Sequence, residues 1–472
     1  MSAPRPATAL ALLGAALLGA CAAMAPDYER PTPPVPARFP QAAAAGASST
    51  AVAAVVAAAD LPWPQFFTEP RLRRRIETAL QNNRDLRVAV LNIEQARATV
   101  SLRDADLWPT VNAGLTGSRQ PTASGGVSSL YSAGLQVTAY ELDLFHRVRS
   151  LGDAAAQQLL ASEEARKAVQ ISLIASVANA HLSLQADDDA LRVTQQTLQA
   201  RQDTQRLTQL RFDNGASSLL ELRSSASLLE GARVVLALQT RQRALDENAL
   251  VLLLGQALPA DDPASAGLSA NPVLPDVPAG IPSELLTRRP DVRQAELQLM
   301  AANANIGAAR AAFFPKITLT GSLGSVSGAL SGLFKAGTGA WSFAPLLLQP
   351  IFDAGRNQAN LALSVAARDI AVAQYEKAIQ TAFREVADAL AGRATLQEQL
   401  DAQTALVQAE QGRLDLTELR YRNGASSALD LLDTQRALYT AQLARVQVQA
   451  QLQQNAVALY RVLGGGWTEA AR

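Results

Sequence analysis

The chain has 472 residues, enough for several domains, and its 42 basic and 42 acidic side chains give a formal charge of zero. A neutral chain with 5% aromatic residues has no electrostatic footprint for nucleic acid. One Cys and two His exclude a disulfide framework, a zinc ribbon and an iron–sulfur cluster, and nearly exclude a His-rich metal site. The hydrophobic share of 48% is dominated by Ala, which favours long, closely packed helices.

Residues 1–20 are predicted to be a lipoprotein signal peptide. Their apolar run from Ala7 to Leu18, about twelve residues, is too short to span a bilayer. Small residues directly precede the only cysteine, Cys21, as is typical of a bacterial lipobox, so cleavage would leave Cys21 as the lipidated N-terminus. The absence of an Asp at Ala22 favours the outer membrane over retention in the inner membrane. The alternative is a signal peptide with a chance cysteine nearby.

The positions of the prolines predict where helices can form. Residues 21–70 are predicted to be a lipidated extended segment, because a Pro/Ala/Ser tract cannot fold compactly on its own. No proline occurs between Pro121 and Pro259, or after Pro350. Since an interior proline destabilises a helix by roughly 3 kcal/mol, these stretches can hold long helices.

The sequence contains a tandem duplication. Four segments recur in the same order: 85–87 as 291–293 and 108–109 as 314–315, both at an offset of 206; 145–149 as 352–356 at 207; and 211–222 as 420–431 at 209. We therefore predict repeat 1 at residues 71–258, a Pro-rich linker at 259–282, repeat 2 at 283–464 and a C-terminal tail at 465–472.

Both repeats follow one order of elements. A helix (about 84–106, then 290–312) precedes two strands with alternating polar and apolar residues, and Gly/Ser-rich loops at 118–129 and 324–339 join the strands of each pair. A very long helix is then predicted from Arg147 to Asp213, with Leu at heptad spacing and much Ala, as in coiled-coil packing. Asn-Gly ends it, and a return helix follows at 218–254. Repeat 2 does the same at 355–463.

Four strands in a lipoprotein are too few to seal a membrane barrel. Bacterial barrels need at least about eight strands, and each unpaired edge group in lipid costs several kcal/mol. We therefore predict that at least two copies share one barrel, without a preference for the number. A soluble four-stranded sheet on a helical body is the alternative.

The ordered motifs carry a resemblance to a known family. The lipobox with residues 26–31, and residues 140–149, 288–292 and 348–356, resemble the TolC-type outer membrane factors, in particular the OprM/NodT branch of efflux outer membrane lipoproteins. The resemblance implies a mixed α+β membrane protein. Each chain of a homotrimer would give four strands to a 12-stranded outer-membrane β-barrel, continued by a 12-helix periplasmic α-barrel. The implied partners are a periplasmic adaptor, an inner-membrane efflux transporter and outer-membrane lipid.

The resemblance also assigns a pore entrance just after the second Asn-Gly turn. Leu429 resembles the apolar constriction, Asp433 an acidic ring and Arg436 its basic neighbour, while Asp430 matches a second acidic position. Repeated around an axis, such carboxylates become rings of like charge that attract cations. The alternative for both carboxylates is a first-turn Asp favoured by the helix dipole. One departure is Ser426, where the TolC branch has an Arg that helps to hold the gate closed.

The hairpin tips are turns in either interpretation, and in the family they contact the adaptor: Asn214, Gly215, Asn423 and Gly424. The two histidines, His146 and His181, are expected to be ordinary polar positions, and the Arg run at 71–75 a solvated helical face. No catalytic constellation or metal spacing is present, so an enzyme, a metal and a cofactor other than the lipid on Cys21 are not expected.

The predicted function is therefore the outer-membrane exit channel of a tripartite (RND-type) multidrug efflux system, a passive duct with an iris-like periplasmic gate. Two alternatives remain at this point. One is the outer-membrane channel of a type I protein secretion system. The other is a periplasmic coiled-coil scaffold lipoprotein that never spans the membrane.

Overall fold

The structure is a computed structural model, and it describes residues 24–36, 61–123, 125–258, 267–268 and 287–466. The described residues form two compact units. One contains 24–33, 91–123, 125–164 and 293–378, and the other contains 34–36, 61–90, 165–258, 267–268, 287–292 and 379–466. The described elements, in chain order, are α1 Trp63–Phe66, α2 Pro70–Asn82, α3 Arg84–Ala105, β1 Val111–Pro121, β2 Val127–Leu142, α4 Arg147–Asp213, α5 Leu219–Leu254, α6 Pro290–Ala311, β3 Lys316–Ser327, β4 Gly339–Leu348, α7 Arg356–Arg422 and α8 Ala428–Val462.

The predicted helix bounds agree closely with these elements. The two long helices, α4 and α7, have 67 residues each, and the return helices end where the sequence predicted. The structure adds one short helix, α1, before repeat 1. It also gives full bounds to α2 at the start of repeat 1, where the sequence predicted only a helical face at residues 71–75. Within the described part of the chain, no helix is both long and apolar enough to cross a membrane.

The first unit contains one antiparallel sheet in the order β1-β2-β3-β4. The predicted loops inside the strand pairs are much shorter than expected, because Gly117 pairs with Tyr131 and Arg119 with Ser129 in the first hairpin. β3 likewise extends to Ser327. Ladder hydrogen bonds use only backbone groups, so the Ser and Gly residues that suggested a loop continue the strands.

Two equivalent hydroxyl pairs show which residues of the two strand pairs correspond to each other in the duplication. A hydroxyl pair, Thr116 Oγ1 and Ser132 Oγ at 2.6 Å, joins the first hairpin. The equivalent pair, Ser322 Oγ and Ser342 Oγ at 2.7 Å, joins the second. These pairs fix the offset at 206 for β1 with β3 and at 210 for β2 with β4.

The helix caps after the sheet correct one of the sequence matches. Asp143 accepts backbone hydrogen bonds from Val148 and Arg149 at 3.0 and 2.8 Å, which caps α4. Asp353 accepts from Gly355 and Asn357 at 2.9 Å each, which caps α7. The capping carboxylates are therefore equivalent at an offset of 210 and the helices at 209. The match of 145–149 with 352–356 at 207 is wrong, because it aligned identical residue types that serve different structural positions.

The core of the second unit is built on aromatic rings and on aliphatic side chains from α2, α4, α5 and α8. The Phe66 ring stacks on Tyr460 with centroids 3.9 Å apart, and Phe67 meets Tyr460 edge-on at 5.9 Å. The Tyr460 hydroxyl donates to the Leu61 carbonyl at 2.6 Å, and burial raises the pKa of that hydroxyl above its ordinary value. Residues 61–67, which precede repeat 1, are thus part of this core, whereas the sequence predicted an extended segment there.

Arg289 holds the start of α6 in the second unit. Its guanidinium contacts Asp291 at 2.7 Å and Glu385 on α7 at 2.9 Å, and donates to the Val462 carbonyl at the end of α8 at 2.9 Å. Burial alone would lower the pKa of Arg289, but the two carboxylates outweigh it and raise the pKa. The Arg288–Pro290 motif of the sequence therefore has a structural role.

Candidate functional site

The two hairpin tips have the same backbone conformation. Gly215 and Gly424 have φ of 71° and 72°, the left-handed conformation that ends a helix and that favours glycine. Before each Gly, an Asn side chain returns to the helix: Asn214 Nδ2 donates to the Leu210 carbonyl at 2.7 Å and Asn423 Nδ2 to Leu419 at 2.8 Å. Asn214, Gly215, Asn423 and Gly424 are all exposed. Each tip is therefore an exposed turn that its Asn side chain holds to the preceding helix.

Asp430 is a helix-capping residue. Its backbone N–H donates to Ser427 Oγ at 3.1 Å, and its carboxylate accepts from the Ser427 backbone N–H at 3.1 Å, which completes a capping box. The hydrogen bonds from Ser427 and Ser426 lower the pKa of Asp430 below its ordinary value. The same box, formed by Ser218 and Glu221, begins α5. The alternative of a first-turn Asp is thus the one the contacts of Asp430 support.

Ser426 contributes to this cap. Its hydroxyl donates to Asp430 Oδ2 at 2.9 Å. Where the TolC branch has a long, positively charged Arg side chain, this chain therefore has a short Ser hydroxyl that donates a hydrogen bond within the helix cap. Within the described residues, this position forms a helix cap and provides no long-range ion pair.

Asp433 is paired with a residue that the sequence did not single out. Its Oδ2 lies 2.7 Å from Nη2 of Arg413, which is on α7, one helix away. Arg413 also contacts Glu410 at 3.1 Å, so one guanidinium joins two carboxylates. Arg436, the predicted basic neighbour, is exposed and forms no ion pair with Asp433 in the described part of the chain. Arg436 remains the predicted basic neighbour on the same helix, and the ion pair with Arg413 is a contact between two helices that spacing on one helix does not indicate.

Leu429 has the exposure expected of a side chain at a constriction. It is 66% exposed, whereas its helix neighbours Leu431 and Leu432 are buried. An exposed Leu in the first turn of a helix, beside a pair of exposed charges, contributes little to the packing of its own chain.

Contacts between the two hairpins lie above the tips. The Arg201 guanidinium on α4 is buried, lies over the Tyr439 ring at 5.1 Å and donates to the Leu228 carbonyl at 2.8 Å. Burial lowers the pKa of Arg201. Nearer the tips, Arg211 lies over the Tyr421 ring at 4.8 Å. Arg211 and Tyr421 belong to the duplicated segment, but nothing in the duplication indicates that these two side chains meet.

Cys21 lies outside the described residues, but the segment after it is placed. Residues 24–30 lie along α6: Arg310 donates to the Met24 carbonyl at 3.2 Å, Asn303 to Pro26 at 2.7 Å, and Arg30 contacts Glu296 at 2.6 Å. Gly307 allows this close approach, since a Cβ there would lie 2.8 Å from the Ala25 nitrogen. We call residues 24–30 the strap. It runs with Met24 at the end of α6 that precedes β3.

Arg75 is not on the solvated face that the sequence predicted, and it lies beside His181. His181 is fully buried and Arg75 is 5% exposed, and both lie in one polar cluster of the second unit. Arg75 Nη1 lies 2.5 Å from His181 Nδ1, and His181 Nε2 lies 2.9 Å from Glu69. Because an Arg can only donate, Nδ1 must accept, so the imidazole is neutral with its proton on Nε2. The carboxylate of Glu69 explains why two polar side chains can be buried here.

This cluster predicts an acid-sensitive stability. Burial lowers the pKa of His181, so the native state binds fewer protons than the unfolded chain, whose His has a pKa of about 6.5. The neutral His181 therefore stabilises the native state fully above the unfolded-state pKa, and this stabilisation is lost as the pH falls towards the native-state pKa. The free energy of unfolding falls by at most about 1.4 kcal/mol per pH unit in this range. We expect His181→Gln to reduce the loss of unfolding free energy between about pH 6.5 and 5, measured by denaturant unfolding. His146→Asn is the control, and an unchanged slope in His181→Gln would contradict the assignment.

The comparisons identify the class of protein. The family model for outer membrane efflux proteins matches residues 75–256 and again residues 281–465, so the chain belongs to this family of outer-membrane channels. The predicted recognition, the outer-membrane location and the fold class are thereby confirmed.

Individual relatives are similar over nearly their whole length. The probable efflux pump outer membrane protein TtgC of Pseudomonas putida is 48% identical over 460 residues, covering 96% of this chain and 94% of that protein. Outer membrane protein OprJ of Pseudomonas aeruginosa is 46% identical, covering 97% and 96%. The open-state structure of the MtrE outer membrane channel of Neisseria gonorrhoeae is 41% identical, with a TM-score of 0.85 and coverage of 94% and 99%. The predicted role as an outer-membrane efflux channel is thereby confirmed.

Proposed function

We propose that this chain forms a passive duct through which small toxic compounds, such as antibiotics and organic solvents, leave the cell. The toluene and antibiotic efflux proteins of Pseudomonas putida, 48% identical to this chain, support this class of substrate. The observation that carries the proposal is the match of the family model to both repeats. No catalytic step is assigned to the chain, and it needs no cofactor other than the lipid on Cys21.

We place the periplasmic gate at the start of α8. Leu429 would form the apolar constriction and Asp433 an acidic ring, and the separation of the hairpins would open the pore like an iris. The exposure of both side chains supports these roles. Asp430 would contribute mainly by capping α8. Arg436 is exposed and would face the pore, since among the described residues Asp433 is paired with Arg413 instead. The exposed tip residues Asn214, Gly215, Asn423 and Gly424 would contact the adaptor.

We propose that Cys21 carries the lipid anchor, and the course of the strap supports this. Cys21 precedes Met24 by three positions, so the lipidated residue lies within about 11 Å of Met24 along the chain. Met24 is held at the end of α6, five residues before β3 begins. An acyl anchor here would enter the membrane beside the strands.

A deletion strain tests the function directly. A bacterium that lacks its own efflux outer-membrane channel and is sensitive to antibiotics and toluene is expected to regain resistance when it expresses this chain with its cognate adaptor and transporter. The minimal inhibitory concentration is the measurement. Restored secretion of a polypeptide toxin without drug resistance would favour the secretion channel instead. A strain that regains neither drug resistance nor toxin secretion would contradict both functions.

A further inference from the structure

Arg201 is a buried cation that contacts no carboxylate among the described residues. It is 5% exposed. Its Nη1 donates to the Leu228 carbonyl at 2.8 Å, and its guanidinium lies over the Tyr439 ring at 5.1 Å, so both partners are neutral. Arg289, which is buried to a similar degree, contacts two carboxylates instead. Because a buried charge is normally paired with an opposite charge, Arg201 departs from the usual arrangement.

One N–H group of this guanidinium has no acceptor. Arg201 Nε is closed off from solvent and has no hydrogen-bond partner within the part of the chain that the structure describes. A guanidinium keeps its proton in a protein, so the positive charge stays inside the helix interface. Hydrogen bonds between two charged groups are the strongest ones, and the acceptor that best satisfies Nε is therefore an anion.

A second guanidinium lies close to the first. Burial is the main cause of the lowered pKa of Arg201, and the like charge of Arg436 on α8 lowers this pKa further. Arg436 is exposed and forms no ion pair in the described ranges. Asp433, which comes three residues before Arg436, is paired with Arg413. Two cations therefore approach each other between α4 and α8, and the adjacent carboxylate is used elsewhere.

The surroundings of Arg201 favour a small inorganic anion over an acidic side chain of another protein. Leu228 lies on α5 and Tyr439 on α8, so three helices of one chain already enclose the guanidinium. A group that reaches Nε has to pass between helices, and a halide ion needs less room than a side chain. Guanidinium is also weakly hydrated for a cation, so its pairing with a weakly hydrated halide costs little desolvation.

We propose that Arg201 and Arg436 bind a monovalent inorganic anion of the halide class, held at Arg201 Nε with Arg436 on the solvent side. The anion joins α4 to α8 and neutralises the buried charge of Arg201. Its site is distinct from the proposed acidic ring, because Asp433 attracts cations whereas Arg201 lies within the helix interface and attracts anions. The site is a property of the folded chain and does not depend on which compounds the duct carries.

Bromide, which scatters X-rays anomalously, locates the anion directly. The wild-type trimer is crystallised with sodium bromide in place of chloride, and anomalous difference density is measured at the bromine absorption edge. We expect one peak in each chain within hydrogen-bond distance of Arg201 Nε. Bromide found only at exposed basic side chains, or no bromide at all, would overturn the site, because a neutral water molecule would then be sufficient for Nε.

Thermal unfolding of the trimer in detergent tests the site in solution. An anion that binds only the native state raises the Tm, so the wild type should unfold about 2 °C or more higher in sodium bromide than in sodium gluconate at equal ionic strength. Arg201→Met removes the cation and keeps an apolar stem, and it should abolish this difference.

Arg206→Met is the matched control. It removes the same charge from the same helix, but Arg206 is exposed and contacts Asp203 at 3.4 Å. Its Tm should keep the bromide dependence of the wild type. An equal bromide dependence in Arg201→Met would overturn the site. If Arg201→Met forms no trimer, the bromide peak at Arg201 Nε of the wild type decides the question alone.

Discussion

A trimer that carries Arg413→Gln is expected to conduct more current in planar bilayers than the wild-type trimer. Arg413 neutralises Asp433 within each chain at 2.7 Å. Without it, three uncompensated carboxylates would face one another in the proposed ring, and their repulsion would favour separation of the hairpins. An exposed ion pair contributes about 0.2–1 kcal/mol, so the ratio of open to closed hairpins should rise by up to about fivefold per chain.

Two control variants distinguish the effect of the Arg413–Asp433 ion pair from the effect of the net charge at the pore entrance. Arg436→Gln removes an exposed guanidinium close to Asp433 without breaking the ion pair, and it should change cation preference but not the open fraction. Adding Asp433→Asn to Arg413→Gln should return the current towards the wild-type value at high salt, because the repelling charges are gone. If Arg413→Gln and Arg436→Gln behave alike, the ion pair has no role in closing the pore.

Leu429→Ala tests the apolar part of the same entrance. This residue is 66% exposed, so its truncation should change the stability by less than about 0.5 kcal/mol while widening the pore. Unchanged current in both Leu429→Ala and Asp433→Ala would remove the gate assignment and leave the duct intact.

Arg289→Ala is expected to destabilise the second unit by about 3 kcal/mol, the size of effect seen when one partner of a buried ion pair is removed. Arg289 is 7% exposed, and its guanidinium joins Asp291, Glu385 and the Val462 carbonyl. Its loss would leave Glu385 with the longer contact to Arg461, at 3.5 Å. The unfolding free energy in detergent, or the yield of folded trimer in the outer membrane, is the measurement.

Arg288→Ala is the matched control, because Arg288 is adjacent and exposed. It should change the stability by less than about 0.5 kcal/mol. Equal losses in both variants would mean that the Arg289 contacts are not the source of the effect.

The sequence predicted the helices well because proline spacing and Asn-Gly turns are local signals. The bounds of α4 and both turns are those of the structure. The strand ends were less predictable, since Gly and Ser residues that suggest a loop can also continue a ladder.

The contacts of the candidate site were only partly predictable. The spacing of Asp430, Asp433 and Arg436 placed them on one helix, and this is correct. The pairing of Asp433 with Arg413, and of His181 with Glu69, joins residues far apart in the chain. One sequence gives no signal for such pairs, because a side-chain contact between elements depends on how the elements pack and not on spacing.

The hydroxyl pairs of the two hairpins have a consequence for biogenesis. Thr116 with Ser132, and Ser322 with Ser342, align strands that are close neighbours along the chain, so each hairpin can find its own alignment early. The joint between β2 and β3 must wait until α4, α5 and α6 have been synthesised, because these helices separate the two strands. A newly exported chain therefore spends time with two formed hairpins that have not yet paired with each other. Periplasmic chaperones that shield strand edges should have their greatest effect during this interval.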